Sequence, residues 1–427
     1  MSQFQPTVLQ VCTYPGAGGA GVAAARLVDA LSASLSHVEL LGLPAGEGHQ
    51  HHRMRTLAYG HGLPESIWRR LRARQSRRDQ CQIRASDSVL AGYFSDRSPH
   101  GWALADAFQQ ADLIHLHWVN DLLDYGHALP RIPSSVPVVW TLHDMSAFTG
   151  GCCYTLQCQS FESGCGCCPQ LGSHQPHDQS SRSLARRSRG LRAIRPRLQL
   201  ISPSAWLARM AASSALFADL PCTVIPNAVD LTRFHPALRD ATRAQLGIDR
   251  STALLLFVAA AVSNPVKGMA TLVEALPKIQ SASSVPLAVA CIGSEPEFLP
   301  AGVRWLGHFD DPEALASLYA AADLLVVPSL IDNTPNVIAE AHACGLPVLG
   351  SAVGGIPEMI ECGRTGELVP PANSPALAAA VTALLPAVMA QRQQWSAHCR
   401  AAAETKYAPE QVAARHLALY RKALEQA

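Results

Sequence analysis

The chain has 427 residues, enough for two full domains, and its 48% hydrophobic and 16% charged content excludes a disordered protein. A formal net charge of +1 gives no global reason to expect a nucleic-acid partner. No run approaches the roughly 18–20 apolar residues of a membrane span. The opening MSQFQPTVLQ has no basic segment followed by an apolar core, so the expected compartment is the cytoplasm, where the 13 cysteines serve as thiols or metal ligands more readily than as disulfides.

Short apolar runs alternate with longer helical patterns, the mark of parallel α/β architecture. In the first half, strands are expected at Thr7–Cys12, Val38–Leu43, Leu113–Leu116, Val138–Leu142 and Leu198–Ile201, with a helix over Ala20–Leu35. Between the first strand and that helix, the glycines Gly16, Gly18 and Gly21 satisfy G-x-G-x-x-G, and Glu39 follows about 20 residues later. That pattern alone admits a nicotinamide- or flavin-dependent oxidoreductase. Glu39, however, falls inside an apolar run and not clearly at its end. His49, His51 and His52 read as an exposed loop without a metal. Between Arg53 and Arg84, Trp68, Arg69, Arg70, Arg72, Arg74, Arg77 and Arg78 crowd together. A basic helix with an aromatic residue can lie on an anionic membrane surface, and a solvated helix face is the other reading.

His115 and His117 straddle the end of the third strand. The run Val138–Leu142 ends in His143-Asp144, a polar pair at the carboxyl end of a strand, where open α/β sheets receive ligands. Cys152, Cys153, Cys158, Cys165, Cys167 and Cys168 follow directly, in a segment taken as residues 151–172. The C-x5-C-x6-C-x2-C frame of Cys152, Cys158, Cys165 and Cys168 can supply four thiolates to a tetrahedral zinc, and reduced thiols or disulfides stay open as alternatives. Such a site would be closed and structural. Near Ile225-Pro226-Asn227 a strand-like run meets a Pro-Asn turn signal, which sets the expected division: residues 1–225, residues 226–406, and a C-terminal helix over 407–427 packing back on the first domain.

In the second half, strands are expected at Leu254–Ala259, Leu287–Ile292, Leu324–Pro328 and Pro347–Gly350. Helices are expected at Met269–Ile279, Pro312–Ala321 and Pro335–Ala343, with an amphipathic tail over Pro409–Leu424. Thr334 is read as a helix N-cap and Pro335 as the first helical residue. Asp332 and Asn333 then sit just outside a helix N-terminus, where amide N–H groups favour an anion such as a diphosphate. Glu340, five residues beyond Pro335, lies about 7.5 Å up the axis from it and could accept hydrogen bonds from vicinal hydroxyls, as acidic residues do with ribose. Lys267, in the loop after Leu254–Ala259, could neutralise charge on a departing diphosphate.

Together these residues resemble the large retaining family of two-domain GT-B glycosyltransferases, family 4. The resemblance rests on Pro328-Ser329, Asp332 through Glu340, Ala341, Gly345-Leu346-Pro347-Val348, Gly354-Gly355-Ile356-Pro357-Glu358 and Gly366-Glu367-Leu368-Val369, with Lys267-Gly268 and Ile225-Pro226-Asn227 upstream. It implies two Rossmann-like doubly wound domains facing across a cleft, and retaining transfer of a hexose-like unit from a nucleotide diphosphate sugar to a glycan hydroxyl. It places Asp332, Asn333, Thr334, Asn336, Val337 and Glu340 at the donor, with Glu340 on the ribose, Asp332 on the sugar hydroxyls and Lys267 on the diphosphate. Gly18 and Gly19 become a loop facing the donor diphosphate, His143 lies beside the transferred sugar, and His117 and Asp144 fall on the acceptor side. No catalytic cofactor is implied. Two departures stand out: the first acid of the family's Glu-x7-Glu motif is Asp332, and Ala261 occupies the place of a frequent arginine. The cysteine segment resembles the insert of glycosyltransferases from bacterial exopolysaccharide clusters, including colanic-acid-type enzymes. The implied acceptor is a lipid-linked oligosaccharide at the inner membrane face, which fits the basic stretch. A sugar-nucleotide-binding scaffold without turnover is the alternative that Ala261, Asp332 and Pro335 motivate.

Overall fold

The computed structural model describes residues 5–44, 51–60, 62–84, 92–236, 239–296, 299–309 and 311–427; His49 lies outside them. The chain divides into two units, one formed by Met1–Ile225 with Glu410–Ala427 and the other by Pro226–Pro409.

The first unit holds strands β1 (Val8–Val11), β2 (Val38–Gly42), β3 (Met54–Thr56), β4 (Leu113–Leu116), β5 (Val138–Thr141), β6 (Leu198–Ser202) and β7 (Cys222–Val224). They form a seven-stranded sheet in the order β3-β2-β1-β4-β5-β6-β7, and its pairings are parallel. β1, β4 and β5 are buried at every position, as strands covered on both faces must be. Trp140, Phe148 and Phe217 fill the core on one side, with ring centroids 5.9–6.2 Å apart. The first helix runs Gly18–Ser32, two residues earlier at its start and three earlier at its end than the sequence predicts, and Gly18 at its head takes a left-handed φ of 63° that glycine adopts at no steric cost. The last helix, Pro409–Glu425, belongs to this unit and hydrogen-bonds the Tyr420 hydroxyl to His115 Nδ1 at 2.6 Å.

The second unit holds β8 (Ala253–Ala261), β9 (Leu287–Ser294), β10 (Val303–Trp305), β11 (Leu324–Val327), β12 (Val348–Ser351) and β13 (Gly366–Val369), in the order β10-β9-β8-β11-β12-β13. Again the pairings are parallel. Each sheet reverses its winding once, between β1 and β4 in the first unit and between β8 and β11 in the second. In a doubly wound sheet the crevice at that reversal is where ligands bind. Both are therefore Rossmann-like domains.

One buried ionic cluster ties the second unit together. Asp323, just before β11 and fully buried, pairs with Arg239 at 2.7 Å, with Arg243 at 3.1 Å and with Arg392. Its Oδ2 also accepts the Leu254 N–H at the start of β8. Burial by itself would raise the Asp323 pKa, but Arg239 and Arg392 overcome it and hold the carboxyl below its ordinary value.

Candidate functional site

In the first unit the reversal brings together the loops after β1 and β4. The Thr13 amide donates to the Trp118 carbonyl at 2.8 Å, and the Thr13 hydroxyl donates to the Asn120 carbonyl at 2.6 Å. Gly18 and Gly19 are exposed at the start of the helix Gly18–Ser32, whose cap, Ala17, has no side-chain acceptor to offer the first amides. Anions stabilise such an opening turn. Gly21 serves a different purpose: a Cβ there would stand 2.1 Å from the Tyr14 carbonyl oxygen, so glycine is required for the helix to approach the loop. Glu39 lies within β2, exposed and paired with Arg55 at 3.4 Å. A dinucleotide-binding acid belongs at a strand end, and this one is spent elsewhere, so the oxidoreductase reading is not favoured.

Histidines line the same edge of this sheet. His117 follows β4 and His143 follows β5, with His117 Nδ1 and His143 Nε2 3.1 Å apart. His117 Nε2 lies 2.8 Å from Oε1 of Gln10, buried in β1. With that oxygen as acceptor, His117 carries its hydrogen on Nε2 and receives the Nε2–H of His143 on Nδ1. The Gln10–His117 pair thus sets the tautomer of His143. Burial lowers His143 to about 4 and His117 well below the usual histidine value, so both are neutral near pH 7. His115 is a core residue, hydrogen-bonded to Tyr420 and to the Thr141 hydroxyl. Asp144 accepts from Trp118 Nε1 at 2.8 Å and from the Ser146 amide at 2.8 Å, so it braces the Trp118 and Ser146 loops.

The cysteine segment packs beside this edge. Cys152 and Cys168 are buried with Ile83 and Tyr93. Burial pushes Cys152 up to about 12, and negative charge on Cys165, Cys168 or Cys158 would push it further. Residues 164–167 all take positive φ, Cys165 at 59° and Cys167 at 46° among them, a tight knuckle of backbone. These neighbouring thiols have the chemistry of a zinc set, but among the described residues no cysteine trio gathers its sulfurs within 4.8 Å. The trio that does reach that spacing is Asp29, His51 and His52. There the Arg53 amide donates to His51 Nδ1, which leaves the Nε2–H for Asp29 at 2.9 Å, a pairing complete without an ion.

In the second unit the reversal brings together the loops after β8 and β11. Lys267 ends a short 3-10 turn, and the Leu330 amide donates to the Val266 carbonyl at 2.8 Å, locking one loop to the other. Gly268 is needed at that crossing, since its φ is 76° and a Cβ would stand 1.9 Å from the Pro328 carbonyl. The result is a contact between Lys267 Nζ and Asp332 Oδ2 at 2.7 Å, with the lysine a third exposed and the aspartate 8% exposed. Gly354 seals the other side, a Cβ there falling 1.8 Å from the Asp332 carbonyl oxygen.

The following helix begins at Asn336, not at Pro335. Pro335 keeps an extended ψ of 120° and occupies the cap position that the sequence assigns to Thr334, without a side chain able to cap. Asn333 is buried, whereas Thr334, Asn336 and Val337 are partly exposed. Asn336 accepts from Asn227 at 3.2 Å, which joins the Pro226-Asn227 turn to this helix start. Glu340 is buried one turn on, and its Oε2 accepts from the Tyr319 hydroxyl at 3.1 Å. Sequence reasoning missed Gln10 and Tyr319, because an amide or phenol inside an apolar run carries no motif of its own; it named Asn227 as a turn residue but not as a partner of Asn336.

Comparison with known proteins bears on these clusters. The family described as Glycosyltransferase Family 4 matches residues 17–233, and that described as Glycosyl transferases group 1 matches residues 252–386. A D-inositol 3-phosphate glycosyltransferase of Rhodococcus erythropolis is 35% identical over 162 residues, 34% of this chain and 36% of that protein. One from an Arthrobacter species is 32% identical over 64% of this chain and 60% of its own length. An Escherichia coli protein named as a colanic acid biosynthesis glycosyl transferase, WcaC, is 26% identical over 56% of this chain and 58% of its own. The alignments thus span from about a third to three fifths of these relatives. Among solved structures, sucrose-phosphate synthase of Thermosynechococcus elongatus has a TM-score of 0.67 at 20% identity, covering 99% of this chain and 100% of that one. Anabaena HepE in complex with UDP-glucose has a TM-score of 0.62 at 18% identity, covering 97% and 99%. These likenesses give the fold as GT-B.

Proposed function

The chain belongs to glycosyltransferase family 4, and on that premise we propose that it transfers a hexose-like unit from a nucleotide diphosphate sugar to a glycan hydroxyl, with retention of configuration. The observation that carries the reading is the contact of Lys267 with Asp332 at the second sheet's reversal. One cation there meets the diphosphate and one carboxylate meets the sugar hydroxyls, while Glu340, steadied by Tyr319, takes the ribose. Gly18 and Gly19 open a helix of the first unit whose first turn favours an anion. Charge building on the diphosphate is then met by preformed donors, and no step calls for a metal. In a front-face reaction the acceptor oxygen bonds the anomeric carbon as the bond to the diphosphate breaks, and the acceptor proton passes to a phosphate oxygen. The acceptor we assign is a lipid-linked oligosaccharide of a bacterial surface polysaccharide, met at the inner face of the membrane. Cys152, Cys158, Cys165 and Cys168 keep a structural role on the acceptor side, and zinc there would require their sulfurs to close in.

A thermal-shift panel of UDP-, GDP- and ADP-sugars tests the donor reading. One nucleotide sugar should raise the melting temperature in proportion to RT ln(1 + [L]/Kd), about 2.7 kcal/mol at a hundredfold excess over Kd. No response to any of the three would refute it. A tight binder that is never hydrolysed or transferred would instead mark a scaffold.

His143 supplies a pH test. Burial keeps it neutral down to about 4. In Gln10→Glu a carboxylate beside His117 favours the imidazolium, raising its pKa and forcing its Nδ1 to donate to His143, whose tautomer must reverse. The neutral chain is then lost as pH falls, about tenfold per unit below the raised pKa. The variant's kcat should show an acid limb absent from the wild type, with donor KM little changed. Superimposable pH profiles would remove His143 from the reacting centre.

A further inference from the structure

The helix Leu63–Arg84 is built the wrong way round for a helix that merely covers a core. Its inward residues are Trp68, Arg72, Ser76, Asp79 and Ile83, spaced by four, four, three and four, one face of a helix. Trp68 stacks on His127 with ring centroids 4.2 Å apart, Arg72 pairs with Asp124 at 3.0 Å, and Asp79 accepts from the Ser95 hydroxyl at 2.9 Å. The inner face is mostly polar, and its charged groups are paired.

The outer face is apolar, then basic. Leu63 is 78% exposed, Ile67 57% and Leu71 54%, at successive steps of four that put them in one row. Among the described residues six large apolar side chains are exposed, and three of the six stand in this row. Arg70, Arg74, Arg77 and Arg78 continue the same side of the helix, all exposed. The exposed residues of the helix include no carboxylate, since Asp79 is buried and Glu65 is half-buried. A solvated helix face would intersperse both signs and hide its leucines.

We propose that this face docks the protein on an anionic lipid surface. Leu63, Ile67 and Leu71 enter the headgroup–acyl boundary while the arginines bind phosphates, which guanidinium groups grip with paired hydrogen bonds. The inference deepens the membrane-side acceptor assigned above and rests on it only for its purpose, because the docking needs neither donor nor acceptor. It corrects one expectation: Trp68, the aromatic residue that suggested the surface, faces inward, and the aliphatic row takes its place. A protein partner of acidic character is the less favoured occupant, because flexible arginines beside unpartnered aliphatic side chains suit a fluid surface.

The test is co-sedimentation of the full chain with vesicles of phosphatidylcholine alone or mixed with phosphatidylglycerol. Binding is expected only to the anionic vesicles, and it should weaken as salt rises. Arg74→Gln with Arg78→Gln should lower the partition coefficient about twenty-five-fold, from roughly fivefold per arginine. Ile67→Ser with Leu71→Ser should lower it comparably at fixed salt. Both pairs should leave the melting temperature and donor hydrolysis as in the wild type, since none of the four touches the proposed donor residues. Absent vesicle binding, or binding that ignores both variant pairs, would overturn the proposal. So would a dimer that the Ile67→Ser, Leu71→Ser pair dissolves, because the face would then belong to a second copy. Failure here with donor hydrolysis intact would leave the transferase reading standing, and the reverse result would leave the docking face standing.

Discussion

Asp323→Ala should destabilise the second unit by about 3–5 kcal/mol, the usual cost of removing one partner from a buried ionic cluster. The size follows from what is left behind. Arg243 is 3% exposed and Arg239 22% exposed, and both now point at Asp323. Without the carboxylate these cations repel one another in a poorly hydrated place, and the Leu254 amide loses its acceptor. Arginine cannot escape by giving up its proton. Asp323→Asn should fall between, because the amide oxygen still accepts hydrogen bonds but returns no charge. Urea midpoints measured with hydrogen exchange at Leu254–Leu256 would read the loss where the cluster meets β8. A change within about 0.5 kcal/mol, the range of an ordinary surface substitution, would show that the arginines find water or backbone carbonyls instead.

That cluster was invisible in the sequence, where Asp323 is one carboxylate before an apolar run and the arginines lie 80, 84 and 69 residues away. The central strands were legible for the opposite reason. β1, β4, β5, β8, β11 and β12 are short apolar runs bounded by turns, and burial on both faces leaves such a strand little choice. No strand is expected from the sequence at β3, β10 or β13, and at β7 only a strand-like run ahead of Pro226; these are the four outer strands of the two sheets. An edge strand has one neighbour and one wet side, so Met54–Thr56 and Val303–Arg304-Trp305 carry polar residues and only three positions each. The turns around Lys267 and Asp332 were legible because they are forced by backbone: Gly268 and Gly354 are required by carbonyl oxygens under 2 Å from any Cβ. The histidine chain was half legible. His117 and His143 end strands and can be found by position, but Gln10 contributes one oxygen from inside β1.

Lys267→Ala carries the largest expected effect on activity. If Lys267 meets the charge that develops on the departing diphosphate, its loss should lower kcat for donor hydrolysis and transfer by about a hundredfold to a thousandfold, the effect of removing one preorganised transition-state donor. A purely ground-state contact would raise the donor KM and leave kcat unchanged, so the two parameters separate the roles. The 2.7 Å contact with Asp332 sharpens the test. Without donor, the lysine is held by the carboxylate, and its ammonium is already positioned by the Val266–Leu330 hydrogen bond and the Gly268 turn. Asp332→Ala releases that ammonium without removing it. The donor diphosphate should then bind at least as tightly, while kcat falls if Asp332 is the acceptor of the sugar hydroxyls. In the double variant the losses should fall short of the sum of the single ones, as expected for two residues in contact that act on one bond. Lys267→Arg keeps the charge but replaces a compact ammonium with a planar fork, and it should restore donor binding more than turnover. Equal kcat in wild type and Lys267→Ala would leave the diphosphate to other donors and would end the role assigned to this lysine.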